Sequence, residues 1–77
     1  MATRKITDDK RRKIDENLKV VFEALDEKGY QPVAQIWGYL LTEDPTYVTT
    51  YKNARKLISE IEHEDLGTYL LEHYFKL

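Results

Sequence analysis

The chain is 77 residues long, carries a formal net charge of −2 and contains no cysteine. One domain is the most this length supports, and disulfides are excluded. No run reaches the roughly 20 apolar residues of a membrane span, and Met1-Ala2-Thr3-Arg4-Lys5-Ile6-Thr7-Asp8-Asp9 lacks the apolar core of a secretory signal, which fits a cytoplasmic address without membrane insertion.

The mild total conceals an uneven distribution. Residues 1–13 hold Arg4, Lys5, Lys10, Arg11, Arg12 and Lys13 against Asp8 and Asp9, a local charge of +4 that leaves −6 for the remainder. Residues 1–9 therefore read as a flexible basic N-terminal tail, and residues 10–77 as a single helical domain. From Lys10 to Lys28, Ile14, Leu18, Val21, Phe22 and Leu25 recur at helical spacing. Asp8 and Asp9 suit the N-terminal end as caps, and Gly29 suits the position just past the C-terminus, where a positive φ is needed. Pro32 after Gln31 opens a second helix, because the first helical position has no use for an N–H. Val33, Ile36, Trp37, Leu40 and Leu41 continue it to Thr42. Gly38 in its middle costs roughly 1 kcal/mol relative to alanine, which implies that another backbone, as at a close helix crossing, packs against it.

Glu43-Asp44-Pro45 is a sharp break, with Asp44 able to bond back to the backbone and Pro45 fixing φ. Tyr47 and Val48 fit a single turn. Thr49 or Thr50 then caps a third helix over residues 51–62, with Ala54, Leu57, Ile58 and Ile61 on one face. Asp65 caps a fourth, in which Leu66, Tyr69, Leu70, Tyr74 and Phe75 turn inward. The fold class expected is all-α: a compact bundle of about four short helices with a flexible N-terminal tail. A chain this short buries only about 60% of its unfolded surface. With neither disulfide nor metal to compensate, a homodimer is expected.

No constellation of residues supplies chemistry. Ser59 and His63 lie four apart and could touch, yet no acid orients the histidine and no oxyanion hole is in view. Gly29, Gly38 and Gly67 stand alone, so no phosphate loop exists. His63 and His73 lack a thiol to complete a zinc set. Neither catalytic residues, a metal nor a cofactor is expected, and the chain does not read as an enzyme. Tyr30, Tyr39, Tyr47, Tyr51, Tyr69 and Tyr74 are many for this length; a ring with a polar tip suits an interface, and Trp37, Tyr39 and Tyr74 are the candidates for one. A small helix-turn-helix-like nucleic-acid-binding protein is the alternative, with Lys52, Arg55 and Lys56 on the recognition helix. The acidic body and a corner of seven residues weigh against it.

The segment Glu27-Lys28-Gly29-Tyr30-x-Pro32-x-x-Gln35-Ile36-x-Gly38-Tyr39-Leu40-Leu41-Thr42-x-Asp44-Pro45-x-Tyr47-Val48-x-x-Tyr51-x-x-Ala54-Arg55 resembles the IreB family of small proteins from low-GC Gram-positive bacteria. That resemblance implies an all-helical homodimer acting as a cytoplasmic regulator, substrate of a transmembrane Ser/Thr kinase and its cognate phosphatase. It also implies a negative role in cell-wall stress and cephalosporin-resistance signalling, tuned by threonine phosphorylation in the N-terminal tail. Thr3 and Thr7 are the matching candidate phosphoacceptors here. Gly29, Tyr30, Pro32, Gln35, Trp37, Gly38, Tyr39, Asp44, Pro45, Tyr47, Tyr51 and Arg55 are the motif positions with structural or interface roles. The tail is shorter and more basic than the family pattern, and Ser59 and His63 stand where arginines are usual.

Overall fold

The computed structural model describes residues 6–76. In chain order these form α1 (Asp8–Glu27), α2 (Pro32–Thr42), a 3-10 turn (Pro45–Tyr47), a second 3-10 turn (Tyr51–Asn53), α3 (Ala54–Ser59) and α4 (His63–Phe75), with no strand among the described residues. The all-α expectation holds. The long α1 is the spine: it packs most extensively against α3, then against α2 and the second turn, and least against α4.

α1 starts earlier than its hydrophobic period suggests. Thr7, in extended conformation, is the N-cap, and its Oγ1 accepts a hydrogen bond from the Lys10 amide at 3.2 Å. Asp8 and Asp9, expected as caps, occupy the first turn instead, where their charge still complements the helix dipole. Ile6, immediately before the cap, is 4% exposed and joins the core. Residues 6–9, expected in a tail, therefore belong to the folded body; residues 1–5 lie outside the described residues. The C-terminal end meets expectation. Gly29 adopts φ 82°. Its amide donates to the Asp26 carbonyl while the Tyr30 amide donates to that of Leu25, the paired bonds of a Schellman motif.

The buried face of α1 is rotated from the simple apolar stripe. Ile14, Asn17, Val21, Ala24 and Leu25 are buried, whereas Leu18 is half-buried and Phe22 exposed. α3 and Val48 account for the shift, because Val48, Ala54 and Ile58 are themselves fully buried. The polar member, Asn17, donates from Nδ2 to the Leu57 carbonyl at 2.9 Å. That carbonyl lies in the last turn of α3, where the regular ladder of helix hydrogen bonds runs out.

Between α2 and α3 the chain is fastened by residues of the central motif. Asp44 caps the first 3-10 turn, its Oδ1 accepting from the Thr46 amide at 3.0 Å and the Thr46 hydroxyl at 2.7 Å. Gln35 Nε2 donates to the Tyr47 carbonyl and Arg55 Nε to the Val48 carbonyl, each at 2.8 Å. The Tyr47 ring lies on Gly38: a Cβ built there would stand 2.4 Å from the ring's Cε1. The close approach read from Gly38 is real, but an aromatic ring makes it rather than a second helix.

Two segments depart from expectation. The helix expected over residues 51–62 is broken, because Lys52 and Asn53 both take positive φ, 56° and 60°. Left-handed backbone costs L-residues roughly 1–2 kcal/mol, although asparagine tolerates it better. The two residues redirect the chain so that α3, only six residues long, can lie along α1. Neither Thr49 nor Thr50 caps α3; the Thr49 hydroxyl instead accepts from the Tyr51 amide at 3.2 Å. In α4, Asp65 is not the cap but a buried residue of the first turn, and Glu62 is the N-cap. Leu66 and Tyr69 face inward as expected, but Tyr74 and Phe75 are 78% and 62% exposed. Among the described residues, none covers that last turn closely enough to bury them.

Replacing Gly38 by alanine forces the Tyr47 ring outward and is expected to destabilise by roughly 1–2 kcal/mol, after the gain in helix propensity is subtracted. Urea unfolding of G38A, Tyr47→Leu and the double variant checks this. The cost of G38A should shrink once the ring is gone; additive losses would contradict the contact.

Candidate functional site

The first turns of α1 are not a free basic arm. Arg11 donates from Nη2 to Glu72 Oε1 at 2.8 Å and from Nη1 to Asp8 Oδ1 at 3.2 Å. The Glu72 hydrogen bond raises the Arg11 pKa further above its ordinary value. Lys10 pairs with the buried Asp65 at 3.4 Å, Lys13 with Glu60 at 3.7 Å and Arg12 with Asp9 at 3.7 Å. Each basic side chain of residues 10–13 thus faces a carboxylate: Asp65 and Glu72 on α4, Glu60 just past α3, and Asp8 and Asp9 on α1 itself. Among the described residues, the surplus positive charge read from the sequence is met by the body rather than held ready for phosphates. Thr7 stands at the head of this array, exposed, with its hydroxyl serving the cap and its carbonyl accepting from the Arg11 amide at 2.9 Å.

One turn further along α1 is a second tie to α4. The Tyr69 hydroxyl donates to Asp15 Oδ1 at 2.6 Å. Asp15 is held below the usual carboxylate range, first by that hydroxyl and then by Lys19, whose Nζ is 3.0 Å from its other oxygen. Burial, and then the same hydrogen bond, push the Tyr69 pKa up to about 12.

Further along the same stripe of α1, one turn beyond Arg11 and Asp15, the surface turns apolar. Leu18 and Phe22 of α1, Val33, Ile36, Trp37 and Leu40 of α2, and Leu70 of α4 line an open groove of about 350 Å³. Val33 and Trp37 are 74% and 61% exposed, and Leu41, Leu71, Tyr74 and Phe75 add further uncovered apolar surface. Large contiguous patches of this kind mark sites of association.

No catalytic pair forms. The Ser59 hydroxyl donates back to the Arg55 carbonyl at 2.7 Å. The His63 Nε2–H donates to the Leu40 carbonyl at 2.6 Å, its ring edge-on to Tyr39 at 5.5 Å. Each side chain has a structural bond, and the two do not bond to each other. Among the described residues, no helix is long and apolar enough to cross a membrane. The helix-turn-helix alternative loses its recognition helix, since α3 spans six residues, Arg55 is tied to Val48, and Lys52 is paired with Glu27.

A profile of the IreB regulatory phosphoprotein family matches residues 1–76. The chain belongs to the IreB family. A protein of Ruminiclostridium cellulolyticum, carried under the name UPF0297 protein, is 42% identical over 72 residues, covering 94% of this chain and 82% of that relative. The IreB description is that of a regulatory phosphoprotein, not of an enzyme.

The motif positions that suggested IreB divide by role. Gly29, Pro32, Gln35, Gly38, Asp44, Pro45, Tyr47 and Arg55 shape the α1–α2 turn and the latch between α2 and α3. Tyr51 lies over the end of α1, beneath the Lys28 ammonium at 5.0 Å. Tyr39, a candidate for an interface, is buried, and burial raises its pKa. Trp37 and Tyr74 are exposed, and so is Tyr30. Thr7 lies at the α1 cap, while Thr3 falls outside the described residues. Sequence reasoning missed Ile6, Asn17 and the Asp15–Tyr69 bond. Ile6 carried the only available signal, an aliphatic residue at N′ ahead of a threonine cap.

The Tyr69 shift has a direct consequence. Its neutral form is favoured in the fold, so its contribution is complete below the unfolded value near 10 and declines as pH climbs toward about 12. Asp15 behaves oppositely: its contribution is present above the unfolded value near 4 and is lost as pH falls through its lower folded value. In a phenolate-absorbance titration Tyr69 should be the last tyrosine to ionise. Tyr69→Phe should remove that late step and flatten the alkaline loss of stability; an unchanged late step would contradict the assignment.

Proposed function

We propose that this protein is a non-enzymatic cytoplasmic regulator whose state is set by phosphorylation of Thr3 and Thr7. A transmembrane Ser/Thr kinase writes the mark and a cognate phosphatase removes it. In this reading the protein restrains cell-wall stress signalling, including cephalosporin resistance, and works as a homodimer. The match of a regulatory phosphoprotein family across residues 1–76 is the observation that carries the reading. Two features agree with it. Thr7 is exposed at a helix N-terminus, where a phosphate adds about −1.5 to −2 charges in a favourable field. The groove around Trp37 offers a second copy an apolar surface to cover.

Phosphothreonine mapping on protein purified from its host tests the switch, together with alanine at both Thr3 and Thr7. The double variant should hold the protein in its restraining state and lower cephalosporin survival when the kinase is active. An unchanged phenotype would favour an unswitched scaffold. Sedimentation tests the dimer: the native chain should be dimeric at micromolar concentration, and Trp37→Asp should weaken the dimer by at least about 30-fold, the loss expected of a hot-spot aromatic. A monomeric native chain would remove the homodimer from this reading.

A further inference from the structure

The same hydroxyl that would accept a phosphate is a working part of the fold. Thr7 Oγ1 holds the Lys10 amide at 3.2 Å, and the Thr7 carbonyl holds the Arg11 amide at 2.9 Å. On one side of it Ile6 is buried in the core at 4% exposure; on the other, Asp8 begins twenty residues of continuous helix. We infer that the first turn of α1, anchored by Ile6, is a gate that limits phosphorylation of Thr7 to molecules in which that turn has opened. The inference rests on the reading of Thr7 as a phosphoacceptor and adds what controls its modification.

In the transfer itself the Thr7 oxygen bonds to the γ-phosphorus of ATP, the bond from that phosphorus to the β-bridging oxygen breaks, and ADP leaves. The hydroxyl proton passes to the kinase's base. Such a displacement needs the hydroxyl in line with the γ-phosphate and in reach of that base. While the turn is formed, the hydroxyl points back at the Lys10 amide, and neither the buried residue before it nor the helical residues after it can enter a cleft. Terminal turns open locally without global unfolding. When opening is fast, the rate of attack follows the open population. The strength of the Ile6 anchor therefore sets the rate. The exposed position of Thr7 is misleading on this point: what matters is the freedom of its flanks, and the fold holds both.

The test uses the purified catalytic domain of the host's Ser/Thr kinase, with ATP, on the full chain and on a synthetic peptide of residues 1–13, with phosphate at Thr7 read by mass spectrometry. The peptide stands for the opened segment and should be modified faster than the chain. Ile6→Ala in the full chain should raise the Thr7 rate about tenfold, as loss of part of a buried side chain's transfer energy implies. Ile6→Val should stay near the native rate. The same alanine in the peptide should change nothing, which separates the gate from a kinase preference for the preceding residue. Retained helical circular dichroism and the late Tyr69 ionisation confirm that the alanine variant is folded. Equal rates in chain and peptide, or equal acceleration of both by alanine, would overturn the gate while leaving Thr7 an acceptor. No phosphate at Thr7 in either, peptide included, would overturn the acceptor and the gate together.

Discussion

The fold depends on the short stretch from Asp44 to Val48 being held against both of its neighbours. Two of the helices that cover α1 are brief, α2 with eleven residues and α3 with six. Helices this short have little stability of their own. They persist because the connection between them is itself anchored, by Gln35 and Arg55 on successive carbonyls and by the Tyr47 ring seated where Gly38 has no Cβ. The same stretch delivers Val48, fully buried, to the face of α1 that Val21 and Ala24 present. If it were loose, α3 would lose its approach to the spine.

This explains which parts of the structure were legible in the sequence. Gly29, Pro32 and Asp44 were read correctly because each acts through local chemistry: a positive φ, a missing N–H, a carboxylate bonding to the next turn. Gly38 was half legible. Its cost announced a close neighbour, but the neighbour's identity depends on tertiary packing. The interruption at Lys52 and Asn53 was not legible, since neither a glycine nor a proline marks it and the apolar period runs through unbroken. There the chain accepts strained backbone so that Ala54 and Ile58 can reach the core. The inward reading of Tyr74 and Phe75 failed for the opposite reason: their spacing is right, but among the described residues α4 outruns the elements that could cover it.

The charge reading illustrates a different limit. Counting Lys10, Arg11, Arg12 and Lys13 as a basic segment is correct arithmetic, yet charge matters by position. Glu60, Asp65 and Glu72 are distant in sequence and adjacent in space, so the segment is neutralised where it stands. Exposed pairs of this sort add little stability individually. Their larger effect is on recognition. They leave α1 without the uncompensated cationic face that nucleic-acid binding draws on, and they set the N-terminal part of α1 in register with α4. Of the surfaces described, the apolar groove further along α1 is then the one with most to gain from a partner.

A threonine that caps a helix would, if it also accepted the proposed phosphate, link two free energies that are usually separate. Capping by threonine is worth about 1 kcal/mol. A phosphoryl group at the same oxygen would still find amides to accept from and a dipole to favour it. Phosphorylation therefore need not unfold α1. What it changes is the charge beside Asp8, Asp9 and Arg11, an arginine already shared between Asp8 and Glu72. A regulator built this way keeps its body while its surface is rewritten. In the proposed gate, the first turn that opens to admit a kinase could close again on the product, so a folded state that slowed the modification would also tolerate it.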